Sequence, residues 1–180
     1  MTTALAPSSL SALVRPRGPL WTPTELRDLV STIGVRHRAE LLAQVRFASP
    51  QRWWARLALT EEVEVWLLSW LPGQRTEPHD HGGASGAFSV VLGSLSETYR
   101  YPGTEVLRRT HAVGSAIGFG AGRAHQVWNT GFEKAATVHA YSPPLVPTRE
   151  YESLWDIPAS IPPLPPRRSL EELAKEPVEP

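Results

Sequence analysis

Cysteine is absent from this chain of 180 residues. That excludes disulfides, thiolate metal ligands and a cysteine nucleophile, so histidine and oxygen donors must carry any metal chemistry. Long apolar runs are missing too. Nothing approaches the roughly 20 residues that a membrane-spanning helix needs, and no membrane partner is expected. Charge of one sign is not in excess, with 18 Lys and Arg against 18 Asp and Glu. Nucleic acid and anionic membrane surfaces are therefore not implied as partners. The first residues lack a basic stretch ahead of a continuous apolar core, so no signal peptide is expected and the cytoplasm is the expected address. No internal repeat is visible.

What is there reads as one domain with extra terminal sequence. Residues 1–20, rich in Ser, Ala and Pro, read as a loose leader with a short helical turn at Ser9 to Val14. Residues 21–156 read as the domain. Its entry, Trp21-Thr-Pro-Thr-Glu, is a helix start, with Thr22 as N-cap, Pro23 at the first position and Glu25 closing a capping box. Leu26, Leu29, Val30 and Ile33 recur at helical spacing, which predicts an amphipathic helix ending near Gly34. Arg38 to Val45 predicts a second.

After Ser49-Pro50 the pattern becomes short strands: 53–59, 63–71, 88–92, 95–101, 105–110, 116–119, 125–129 and 136–141. Gly93, Pro102-Gly103, Gly114, Gly120 to Gly122 and Thr130-Gly131 separate several of them. The fold class expected is all-β with N-terminal helices, a barrel or sandwich. Residues 157–180, crowded with proline, read as a peripheral tail running extended over the surface, with a short exposed helix at Ser169 to Lys175.

Side chains converge on a chemistry in one stretch, Gly73 to Gly86. His79 and His81 are at i and i+2, which on a strand puts both imidazoles on one face. His125 stands in a similar Gly-rich frame. Asp80 is expected to point away from its neighbours, and His37 and His111, outside any frame, are expected to be solvated.

Two segments line up with known motifs: Gly73, His79, His81, Gly86 and Gly93, then Gly114, Gly122, His125 and Asn129. They resemble the paired motifs of the cupin superfamily, G-x5-H-x-H-x3-4-E-x6-G and G-x5-P-x-G-x2-H-x3-N. Gly120 replaces the proline, and Gly86 replaces the glutamate. The resemblance implies a small jelly-roll barrel with a metal held by His79, His81 and His125.

Loss of the carboxylate, together with His79-Asp-His81, Leu95-Ser-Glu-Thr, His125-Gln-Val-Trp-Asn and His139-Ala-Tyr141-Ser-Pro-Pro, resembles the cysteine dioxygenase (thiol dioxygenase) family. That resemblance implies Fe(II) as cofactor, with a small thiol and O2 as partners and a sulfinic acid as product. It implies that Tyr141 hydrogen-bonds near the bound substrate and that His139 holds Tyr141, with Thr137 where the relay ends in a hydroxyl. Strand spacing puts these three on one face independently. Arg56 is the expected guanidinium for the substrate carboxylate, with Arg52, Arg75 and Arg149 as substitutes. Mammalian members crosslink the tyrosine to a neighbouring cysteine; Gly86 stands there, so Tyr141 should be an ordinary phenol. L-cysteine is the expected substrate. A 3-mercaptopropionate dioxygenase is the alternative, followed by a non-catalytic ligand-binding cupin. A monomer or small homo-oligomer is expected.

Overall fold

The helix start at Trp21–Glu25 is built as expected. Thr22 Oγ1 accepts from Glu25 N (3.3 Å) while Glu25 Oε2 accepts from Thr22 N (2.8 Å). This reciprocal cap satisfies two orphan donors of the first turn. In the computed structural model, which describes residues 10–16, 18–167, 169, 171 and 172, α1 spans Pro23–Arg36 and buries Leu26, Leu29, Val30 and Ile33. It outruns the expected stop at Gly34 by one half-turn. Gly34 stays helical because it lies against a strand: a Cβ there would sit 2.9 Å from Ser89 Oγ, and that hydroxyl donates to Val30 O. The second helix, α2 (Arg38–Gln44), follows after His37 and buries Leu41.

The strands form two five-stranded antiparallel sheets. One has the spatial order β1 (Trp54–Leu59), β2 (Glu64–Trp70), β9 (Ala135–Ser142), β4 (Ser85–Leu92), β7 (Ala116–Phe119). The other runs β10 (Arg149–Glu150), β3 (His79–Asp80), β8 (Ala124–Trp128), β5 (Ser94–Arg100), β6 (Leu107–Ala112). This is the expected jelly-roll barrel. The pattern missed β10, which is too short to show alternation, and placed β6 two residues early.

Alternation divides the faces of the first sheet between core and cavity. Val65 and Leu67 of β2 and Ala136, Val138 and Ala140 of β9 lie in the main apolar cluster with the buried face of α1. The opposite parity pairs Glu64 with Tyr141, Trp66 with His139 and Leu68 with Thr137. Paired residues share a face, so these point into the barrel. The largest apolar core is thus between helix and sheet, and the barrel interior combines smaller apolar clusters around Trp70 and Phe88 with the polar groups.

Both ends correct the sequence reading. Leu10 and Val14 are buried in the same cluster as α1, so this part of the leader is not loose. The proline-rich segment is extended as expected but not merely peripheral. Ile157 packs with Leu154 and Ala124, and Leu164 N donates to Gly82 O (2.7 Å). Of the expected helix at 169–175, Glu171 and Glu172 are helical and Ser169 caps them reciprocally through Glu172. The rest lies outside the described residues.

Candidate metal centre

His79 of β3 stands opposite His125 of β8. His81 is delivered one residue past the strand, by a turn through Gly82 and Gly83 with φ of 59° and 98°. Side chains rarely adopt that backbone, and at Gly82 a Cβ would also meet Pro147 O at 2.5 Å. The three imidazoles converge: ring centroids are 4.8–5.0 Å apart, and one ligand atom of each lies within 4.8 Å of the others.

Hydrogen bonds decide which nitrogens are free. His79 Nδ1 donates to Glu77 O (2.8 Å), and His125 Nδ1 donates to the Glu97 carboxylate (2.7 Å), so each presents Nε2. His81 is 4 % exposed, and neither of its ring nitrogens has a partner among the described residues. Buried polar groups are normally paired. An orphaned imidazole facing two free imidazole nitrogens fits a metal ion, reached after small side-chain adjustments. Burial first, then the charge on His125, pushes His79 down to about 3 and holds His81 well below its ordinary value. Both are neutral at pH 7, with lone pairs available.

Asp80 points away as expected: it accepts from Gly82 N (2.5 Å), Tyr151 Oη (2.6 Å) and Arg149 Nη1 (3.3 Å). His111 corrects the reading that it is solvated. It is buried and bonded through Nε2 to Glu97 (2.9 Å). Glu97 also accepts two bonds from Arg123 (2.7 and 3.1 Å). Burial alone would raise the Glu97 pKa, but the bonds from His111 and His125 and the Arg123 charge hold it well below the carboxylate range. The sequence reading missed Glu97. Its signal was an acid at an inward strand position between Leu95 and Tyr99, both buried. Because Arg123 balances it, the pair orients His125 without adding net charge to the site.

Thr137, His139 and Tyr141 come together as their spacing implied. Thr137 Oγ1 is 2.9 Å from His139 Nε2, and His139 Nδ1 is 3.0 Å from Tyr141 Oη. Tyr141 stacks on His81 at 4.8 Å between centroids. Burial and the Glu64 charge push its pKa up, so the phenol keeps its proton.

Arg56 is not brought to the site. It is exposed on edge strand β1, its guanidinium 4.7 Å from the Trp66 ring. Arg75 stacks on Trp128 and Arg149 is bound to Asp80. Arg52 is the guanidinium that turns inward. It lies 4.1 Å over the Trp70 ring, its Nη1 is buried with no partner among the described residues, and its charge acts on His79, His139 and Tyr141. A cation with a buried Nη1 that has no partner among the described residues, set near the three imidazoles, can hold a small anion.

Gly86 is packed as well as uncrosslinked. A Cβ there would lie 2.5 Å from two Phe119 ring atoms and 3.0 Å from Tyr141 Cδ1. Gly86→Cys is therefore expected to destabilise the fold by about 1–3 kcal/mol, the range for overpacked cores. Adding Phe119→Leu should recover most of that in denaturant titrations. A Gly86→Cys variant as stable as the parent would contradict the packing.

A sequence model of the cysteine dioxygenase type I family matches residues 28–153. Auxin-binding protein 1 of Arabidopsis thaliana is 35% identical over 103 residues, 54% of this chain and 50% of that protein. The chain thus spans about half the length of that curated relative. Among solved structures, an uncharacterised conserved protein with a double-stranded β-helix domain from Klebsiella pneumoniae is 19% identical with a TM-score of 0.51, covering 63% of this chain and 95% of that one. A protein from Bacillus halodurans is 22% identical with a TM-score of 0.53, covering 63% and 82%. These two likenesses bear out the fold.

Proposed function

Since this chain belongs to the cysteine dioxygenase type I family, we propose that it is a mononuclear iron thiol dioxygenase that converts L-cysteine and O2 to cysteine sulfinic acid. The observation that carries this reading is His81, buried and without a hydrogen-bond partner among the described residues, between His79 and His125. His79 and His125 through Nε2, and His81, would hold Fe(II). A bound Fe(II) supplies a redox-active Lewis acid at which a thiolate and O2 can meet. Both oxygen atoms end on sulfur, so the reaction balances without an external reductant.

The chain's own residues bind and orient. Arg52 takes the substrate carboxylate in place of Arg56, because its Nη1 is already desolvated and has no partner among the described residues. Tyr141, held by His139, presents a phenol that stays protonated and can donate a hydrogen bond to substrate or oxygen. His81 stacks on Tyr141 and packs at a tilt against Phe119, so aromatic rings line one side of the site.

Oxygen uptake by the Fe(II)-loaded protein, with L-cysteine and 3-mercaptopropionate offered separately, tests the reading. Faster uptake with cysteine is expected, and no uptake with either thiol would sink it. Arg52→Ala is expected to raise KM for cysteine about a hundredfold, as befits a lost charged hydrogen bond of about 1.5–3 kcal/mol. Arg56→Ala should change it less than about twofold. The reverse ranking of the two variants would return the carboxylate to Arg56. Tyr141→Phe is expected to keep stoichiometric iron while consuming O2 without matching sulfinate, as an oxygen electrode and product analysis would show.

A further inference from the structure

Trp70 is buried at the end of β2, and its indole Nε1 lies 2.9 Å from Thr137 Oγ1. Resting on the dioxygenase reading for its role in turnover, we propose that Trp70 is the positioning residue that fixes the direction of the whole Thr137–His139–Tyr141 relay. The indole N–H can only donate. Thr137 Oγ1 therefore accepts from it, and the hydroxyl's own hydrogen must go elsewhere. His139 Nε2, at 2.9 Å, is its one acceptor among the described residues.

The opposite arrangement has His139 Nε2–H donating to Thr137. The threonine oxygen would then accept twice, and its hydrogen would be buried without an acceptor, which is unfavourable. With Nε2 accepting, neutral His139 carries its proton on Nδ1. Burial, and after it the nearby Arg52 charge, keep this imidazole neutral. Nδ1–H then donates to Tyr141 Oη, 3.0 Å away. The phenol oxygen has no other partner among the described residues. Having accepted from His139, it turns its own proton away from the relay. Each donor in the row thus follows from a group that cannot accept.

The same indole carries Arg52 on its face at 4.1 Å, and Asn129 Nδ2 donates to the Trp70 carbonyl at 3.0 Å. Trp70 is therefore fixed at its backbone, and one side chain positions both the carboxylate-binding cation and the phenol proton. Trp70→Phe separates these roles, because it keeps an aromatic face for Arg52 while losing the N–H along with part of the buried ring system.

The test reads the His139 tautomer, which activity does not enter. In the full-length, 15N-labelled chain with diamagnetic Zn(II) added, long-range 1H–15N correlation should show Nδ1 protonated and Nε2 bare. In Trp70→Phe both shifts should move toward averaged values as the two tautomers mix. With Fe(II) and cysteine, that variant should keep KM within about twofold and lose about tenfold in kcat. Outright removal of a proton-transferring group costs a hundredfold or more. Thr137→Ser, which retains the hydroxyl, should keep the wild-type tautomer. Wild-type His139 protonated at Nε2, or an unchanged tautomer in Trp70→Phe, overturns the inference. The wild-type spectrum decides the direction whether or not the variant folds. Should the tautomer be as stated while the Fe(II)-loaded parent leaves thiols untouched, the relay stands and the dioxygenase reading falls.

Discussion

Replacing His81 with alanine is expected to abolish metal retention and turnover together while leaving the fold in place. Structural zinc sites with four ligands gain roughly 10–16 kcal/mol on binding, so each ligand accounts for roughly 2.5–4 kcal/mol. Losing one of three should weaken retention by on the order of a hundred- to a thousandfold. Metal-free stability should move far less. The substitution opens a small cavity, but it also removes a buried imidazole whose two nitrogens have no partner among the described residues. Leaving such groups unpaired costs about 1–3 kcal/mol, which offsets the lost packing. Iron analysis after desalting and thermal unfolding without metal check the two halves. Stoichiometric iron in the variant would refute the ligand assignment.

Acid should unfold the metal-free protein well before the carboxylates titrate. His79 is pushed down to about 3, and His81 and His139 lie well below their ordinary value, each chiefly through burial. In the unfolded chain these groups titrate near 6.5. Below that pH the unfolded state binds protons that the folded state refuses, so folding stability falls as pH falls. Each histidine contributes a slope of up to about 1.4 kcal/mol per pH unit, and three together about 4. A domain stable by 5–15 kcal/mol would be marginal near pH 5. Glu97 acts in the same direction only lower down. Its depressed carboxylate stabilises above about 4.5 and loses that contribution as pH drops further. Urea titrations from pH 7 to 4.5 check the slope, and His139→Phe should flatten it by one proton. Stability that is flat down to pH 5 would contradict the buried, neutral assignment.

The chain's own pattern determined a good deal. The α1 cap needs only residues 22 to 25, so local chemistry specifies it completely. Two-residue alternation placed Thr137, His139 and Tyr141 on one face, and the motif spacing singled out His79, His81 and His125. Glycine at 86 by itself excludes a crosslink there, whereas the close approach of Phe119 depends on the tertiary fold.

Alternation names a face, but it does not say how deep along the barrel a side chain sits or which edge lies open to solvent. Arg56 pairs with Trp66 on the inward face, yet β1 is an edge strand and the guanidinium reaches solvent. Arg52 precedes that strand, and no period governs its direction. Only the packed Trp70 ring shows that it turns in. Glu97 and His111 meet across two neighbouring strands, and Leu10 and Val14 join a core that extends to strand residues as far along as Ala140, contacts that no local spacing encodes. What the sequence determined was the set of donors that the site could use. Tertiary packing decided which of them are desolvated and left without partners, because burial is set by neighbours distant in the chain.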